Sequence, residues 1–177
     1  MRGGSTGRGG GLAAVVALAV GVTGAARAET LTPQGLGKVR IGMSLSAAEQ
    51  VLSAGLSGGE AGETCRMVGR ADGKDPGIFY MIEKGRISRI DIAAPAKGEA
   101  PRVTTARGIG LGAGLDEVRR RYGAKVKLER ADSEPDLRLV HVEASKGRGT
   151  VLEIRDGKVS GLRSGLKPAL DYSEGCS

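Results

Sequence analysis

The chain has 177 residues, with 27 Lys and Arg against 20 Asp and Glu, and a formal net charge of +7. Its aromatic residues are Phe79, Tyr80, Tyr122 and Tyr172, with no Trp. That scarcity argues against a sugar groove built on stacked rings and leaves the core to Val, Ile, Leu and Met.

The first 28 residues read as an address. Arg2 and Arg8 give a basic start, and Leu12 to Val22 is an unbroken run of Leu, Ala and Val with one Gly. Ala26-Arg27-Ala28 is a small-x-small cleavage site. This is the layout of a secretory signal peptide. The run is shorter than the roughly 20 residues a membrane-spanning helix needs. No Cys lies near the cut for lipid attachment, and the two arginines are not adjacent, as a twin-Arg leader requires. The mature chain is therefore expected to start at Glu29 and to be periplasmic or secreted. Losing Arg2, Arg8 and Arg27 lowers the charge from +7 to +4. That is a poor footing for nucleic acid, so no nucleic-acid partner is expected. No second long apolar stretch follows, so no transmembrane segment is expected in the mature chain.

A first unit, 29–98, opens with an extended stretch over Gly37–Ile41. Ser44 or Ser46 can cap a helix, because a serine hydroxyl accepts an orphan backbone N–H. The helix is expected over Ser46–Ala54, with Leu45, Ala48, Val51 and Leu52 on one face. Gly55 ends it. Strands are expected over Thr64–Gly69, Ile78–Glu83 and Arg86–Ala93, with Lys84-Gly85 as the turn of the last hairpin. Gly55–Gly62 and Ala94–Pro101 are connectors, the second marking the boundary between units.

A second unit, 99–177, repeats the plan. Asp116 and Glu117 sit at the positive end of its helix. Leu115, Val118 and Tyr122 line one face, and Gly123 stops the helix. Strands are expected over Lys125–Arg130, Asp136–Ala144, Thr150–Arg155 and Lys158–Arg163. The Asp156-Gly157 pair is a strong hairpin turn, because both central residues need positive φ. Ile41-Gly42-Met43-Ser44-Leu45 recurs as Leu111-Gly112-Ala113-Gly114-Leu115, and Tyr80–Ser88 recurs as Leu152–Ser160. A near-constant offset predicts a tandem pair. The expected fold class is α+β: two tandem repeats, each a short helix followed by an antiparallel β-meander.

The run Arg40-Ile41-Gly42-Met43-Ser44, leading into a helix and a meander, resembles the small envelope modules of the SmpA/BamE-like group. The tandem arrangement resembles the fold of the beta-lactamase inhibitory proteins. The resemblance covers about Leu36 to Leu162, and its motif is short. The second copy departs from it at Ala113-Gly114. It implies protein binding in the cell envelope without catalysis, and it assigns no contact residue.

Two cysteines remain, Cys65 and Cys176. Export to an oxidising compartment makes a disulfide the expected state. Closing a loop of about 110 residues would stabilise the fold by up to roughly 4–5 kcal/mol in the chain-entropy model.

Other candidate sites are thin. Gly108-Ile109-Gly110-Leu111-Gly112-Ala113 matches a dinucleotide-binding glycine pattern, but hairpins follow it where a βαβ unit is needed. Asp132 to Asp136 with Glu143 imitates a calcium loop, but Leu137 stands where the sharp turn wants Gly. The densest basic cluster is Arg119, Arg120 and Arg121 with Lys125, Lys127 and Arg130. Arg119, Arg120, Lys125, Lys127 and Arg130 form the candidate patch for an anionic partner or an anionic envelope surface. Helical spacing spreads the three arginines over more than half the circumference. His141 is the only histidine. Along a strand it lies about 7 Å per step from Glu143 and Ser145, too far for a triad relay. No pair of carboxylates is singled out for glycoside hydrolysis. The expected protein is an exported, disulfide-stapled binding or structural module of the bacterial cell envelope. It is expected not to be an enzyme, to need no cofactor or metal, and to have a protein partner in the envelope. The alternatives are a proteinaceous inhibitor of a hydrolase and an unrecognised enzyme.

Overall fold

The computed structural model describes residues 1, 3–4, 28–59, 64–123, 126–131, 134–145, 147–172 and 175–176, excluding the side chains of 143–145. Apart from residues 1, 3, 4 and 28, the expected leader lies outside the described residues. In chain order the elements are β1 (Glu29–Thr32), β2 (Gly35–Leu36), β3 (Val39–Arg40), α1 (Leu45–Leu52), β4 (Leu56–Ser57), β5 (Cys65–Arg70), β6 (Ile78–Glu83) and β7 (Arg86–Ala93). There follow β8 (Val103–Thr105), α2 (Leu115–Tyr122), β9 (Glu129–Arg130), β10 (Arg138–Ser145), β11 (Arg148–Arg155), β12 (Lys158–Leu166) and a 3-10 turn at Ala169–Asp171.

The expected α+β class with two helix-plus-meander repeats is corrected by this architecture. The protein is mostly β, with strands over 43% of the chain and, among the described residues, two helices of eight residues each. Eight strands form one sheet in the order β4-β5-β6-β7-β12-β11-β10-β9. The fusion runs through β7 and β12, which pair antiparallel with Asp91 opposite Arg163 and Ile92 opposite Leu162. A second sheet of order β3-β2-β1-β8 was not expected. It pairs β1 parallel to β8, Glu29 against Val103. These strands are two to four residues long and meet across a long sequence distance, so no local periodicity announces them.

Each helix is entered in the same way. Gly42 N–H donates to Ile87 C=O (2.7 Å), Ile87 N–H to Met43 C=O (2.9 Å) and Leu45 N–H to Gly85 C=O (3.0 Å). Gly112 N–H donates to Val159 C=O (2.8 Å), Val159 N–H to Ala113 C=O (2.9 Å) and Leu115 N–H to Gly157 C=O (2.8 Å). Each helix N-terminus is thus docked on a hairpin turn. Lys84 and Asp156 both take φ 50°, the left-handed turn geometry that Lys-Gly and Asp-Gly predict. Ser44 caps α1, its hydroxyl accepting from Ala47 N–H at 3.2 Å. The helix stops at Ser53, before the expected Gly55. The Glu49 carboxylate captures Leu56 N–H at 3.0 Å and turns the chain out into β4.

One core lies between the large sheet and the helices. Ala48 of α1 and Val118 of α2 pack with Leu31, Ile78, Tyr80, Ile90, Ile92, Val140, Leu152 and Leu162. Strand alternation sends Phe79, Arg89, Asp91, Glu153 and Arg163 to the opposite face. Burial pushes the Tyr80 phenol up from 10.0 to about 12, reinforced by the Glu29 and Asp75 carboxylates. A phenol raised in the folded state contributes stability that is complete below its unfolded value and is lost as pH rises through the folded value. The protein is therefore expected to lose stability between pH 10 and about 12, followed by tyrosinate absorbance and denaturant midpoint. Tyr80→Phe should flatten that loss. Equal alkaline sensitivity in the variant would contradict it.

Candidate functional site: a strapped sheet face and its cleft

The second face of the large sheet carries charges that the core face does not. Arg89 and Arg163 are 3% and 2% exposed, a burial that ionised side chains tolerate only when paired. Arg89 donates to Asp91 Oδ2 from Nε (3.1 Å) and Nη2 (2.8 Å). Arg163 Nη2 donates to Glu153 on the neighbouring strand. Burial pushes the Asp91 carboxyl up, against the opposing pull of Arg89 and Arg163. Gly161 and Gly165 flank Arg163 on the same face and make room for this cluster. A Cβ at Gly165 would lie 2.9 Å from Arg89 Cα, and one at Gly161 would lie 3.0 Å from Glu153 Cδ.

The C-terminal segment is a strap laid over these charges. Arg89 Nη1 donates to the carbonyls of Ala169 (2.7 Å) and Tyr172 (3.1 Å). Arg163 Nη1 donates to the same Tyr172 carbonyl. Gly175 lies against Met67 of β5. The strap is tied down by a Cys65–Cys176 disulfide that closes 111 residues with the two Cα atoms 5.5 Å apart. This is the expected staple.

Where the strap leaves β12 it walls a cleft against the far edge of the sheet. Two hollows, of about 240 and 360 Å3, share Glu129, His141, Lys167 and Leu170. His141 Nε2 stands 3.5 Å from Glu129 Oε2, and Lys167 Nζ stands 3.2 Å from Asp171 Oδ2. Arg130 and Arg148 also reach the cleft. Neither guanidinium has a hydrogen bond or ion pair to a described residue. The arrangement is a mixed-charge recess suited to polar recognition. The described residues bring no hydroxyl or thiol nucleophile into hydrogen bonding with His141.

The expected site residues are dispersed. The α2 arginines belong to the helix layer: Arg119 is paired with Asp116 at 3.4 Å and Arg121 with Glu117 at 3.9 Å. Arg107 donates to the Arg121 carbonyl at 2.6 Å and lies over the Tyr122 ring, 5.2 Å from its centroid. Arg120 is exposed on that helix, Lys127 is exposed on the way to β9, and Lys125 lies outside the described residues. Among the described members of the patch, Arg130 lines the cleft. The Gly108–Ala113 run is a turn that buries Ile109 and leads into α2, with Gly108 at φ 75° and Gly112 at φ 80°. Asp132 and Ser133 lie outside the described residues, as do the side chains of Glu143 and Ser145. Glu134 pairs with Arg155. Among the described residues no group of three His, Cys, Asp or Glu is placed to hold a metal ion.

The sequence reading missed the Arg89, Asp91, Glu153 and Arg163 cluster. Its trace was there: Arg89 and Asp91 alternate with Ile90 and Ile92, and Gly161-Leu162-Arg163-Ser164-Gly165 sets one arginine between two glycines. Comparison with known proteins finds no match for this chain among protein-family models, curated proteins or solved structures.

Two outcomes are expected. Replacing both cysteines by Ser should lower unfolding stability by about 2–5 kcal/mol and first expose the amides of Asp171 and Tyr172 to hydrogen exchange. An unchanged denaturant midpoint would refute the strap's role. Gly165→Ala should cost about 1–3 kcal/mol, the range for overpacking against fixed backbone, with NMR shift changes centred on Arg89 and Ser88.

Proposed function

We propose that this chain is an exported, non-enzymatic binding or structural module of the bacterial cell envelope, with a protein partner seated at the strapped face of the large sheet. The observation that carries the proposal is the Cys65–Cys176 bond. A disulfide that ties down a terminal strap is of use in an oxidising compartment and would be kept reduced in the cytosol. The leader pattern supports the same destination. So does the start of β1 at Glu29, the residue after the expected cut, whose N–H donates to Arg102 C=O at 2.9 Å. Among the described residues no helix is long and apolar enough to cross a membrane. The Arg40–Ser44 resemblance to SmpA/BamE-like modules adds weight to a role in binding. The cleft supports a polar partner, because His141, Arg130, Arg148 and Lys167 face it beside Glu129 and Asp171.

The test is direct. Protein recovered from the periplasm should begin at Glu29 by N-terminal sequencing and should capture a defined envelope protein. Arg148→Glu in the cleft should reduce that capture about tenfold, as expected when an attractive rim contact becomes repulsive. An intact Met1 in a cytosolic protein with two free thiols would overturn the compartment. Stoichiometric capture of one soluble hydrolase would favour the inhibitor alternative.

A further inference from the structure

A second recess lies on the core side of the molecule, remote from the strap. It opens between α1, the turn joining β2 to β3, and the start of β6. Its volume is about 220 Å3, roughly seven water volumes. Leu36, Val51, Leu52 and Ile78 supply apolar walls, and Tyr80 stands at its back. Tyr80 is 3% exposed and lines the recess, and its hydroxyl, which makes no hydrogen bond with any described residue, keeps some contact with solvent. A phenol oxygen so placed bonds with whatever fills the recess, water or a ligand.

The charges round the recess are unequal in their availability. Arg70 is already engaged: its guanidinium holds Asp72 at 3.0 and 2.7 Å and the Leu52 carbonyl at 3.2 Å. Asp75 touches it at 3.5 Å but is itself 56% exposed, so it keeps capacity to accept. The Glu29 carboxylate lies over Gly37, where a Cβ would come 3.2 Å from Oε1. Glu29 and Asp75 both act on the Tyr80 phenol through space. Lys38 also borders the recess but is exposed, and its flexible stem can keep its charge in water.

We propose that this recess is a binding site for a small amphipathic amine, a primary ammonium on a short aliphatic chain. The phenol oxygen of Tyr80 accepts one ammonium hydrogen. The carboxylates of Asp75 and Glu29 neutralise the charge, and the aliphatic chain lies against Leu36, Val51 and Ile78. An ammonium has three donors and no acceptor, which matches the two carboxylates and the phenol oxygen that this recess offers. An anion of equal size would meet two carboxylates, and a neutral alcohol would gain no charge attraction from them. The site does not depend on the strapped face.

The experiment is an NMR titration of the disulfide-bonded full chain with n-butylammonium, n-butanol and butyrate in turn. Saturable shifts of the Tyr80 ring and of the Val51 and Ile78 methyls are expected with n-butylammonium and not with the other two. Tyr80→Phe keeps the ring and removes the acceptor, so it should bind about tenfold more weakly or less, the loss expected for a hydrogen bond to a charged group. Asp75→Asn, at an exposed position that the core does not need, should also weaken binding several-fold. Its unchanged melting temperature separates that effect from unfolding. Binding of butanol or butyrate as tight as that of the amine, wild-type affinity in Tyr80→Phe, or no saturable shift with any probe would each overturn the proposal.

Discussion

Two buried guanidiniums organise the second face of this protein. Arg89 and Arg163 sit on the central strands β7 and β12, almost wholly removed from water. A charge so placed is tolerable only with paired carboxylates and enough acceptors. Asp91 and Glu153 supply the charge, and the carbonyls of Ala169 and Tyr172 supply further acceptors. The path of the C-terminal strap follows from that need. So do Gly161 and Gly165, because a side chain at either would occupy the space of the cluster. Buried ion pairs are weak evidence for stability in themselves. Their contribution here is to register, since Asp91 stands opposite Arg163 across the joint that makes one sheet out of two meanders.

The two faces of the large sheet therefore solve different problems. The core face is apolar and is covered by α1, α2 and the small sheet. The other is polar at its centre and is covered by the C-terminal strap, whose buried apolar residues among those described are Ala169 and Leu170. A segment so thin does not hold itself by burial, and chain ends fray unless tied down. The disulfide to Cys65 provides the tie at the far side of the sheet. Where the strap departs from β12 it stands away from the β9–β11 edge. The gap between them is the mixed-charge cleft around His141, Glu129 and Lys167.

Short-range chemistry was legible in the chain. Asp156-Gly157 and Lys84-Gly85 make the two tight hairpin turns, and the strands Ile78–Glu83 and Arg86–Ala93 have the bounds that their composition predicts. Leu115, Val118 and Tyr122 are spaced to share one helical face, and Val118 is fully buried. The end of α1 was not legible, because a Glu49 carboxylate reaching Leu56 N–H is a contact seven residues away and not a propensity. The small sheet was not legible either. Thr30 pairs with Thr104 across more than seventy residues, with strands too short to show a period. The fold class failed for the same reason: whether two meanders lie side by side or fuse depends on one pairing, β7 with β12. The candidate basic patch was a cluster along the sequence that the structure divides between α2 and the edge of the sheet.

What the sequence determined by itself was local or compositional: the turns, most strands, the presence of the two short helices, the leader pattern, and a pair of cysteines with no other thiol to choose. Each of these rests on φ preferences, alternation or simple counting within a few residues. What only the tertiary structure decided was everything that depends on two distant segments meeting. It joined the sheets through Asp91 and Arg163 and laid a tail over them. It placed His141 beside Glu129 and gathered Glu29, Asp75 and Tyr80 round one recess. No sequence window contains those distances, because the free energy that sets them belongs to the packed whole.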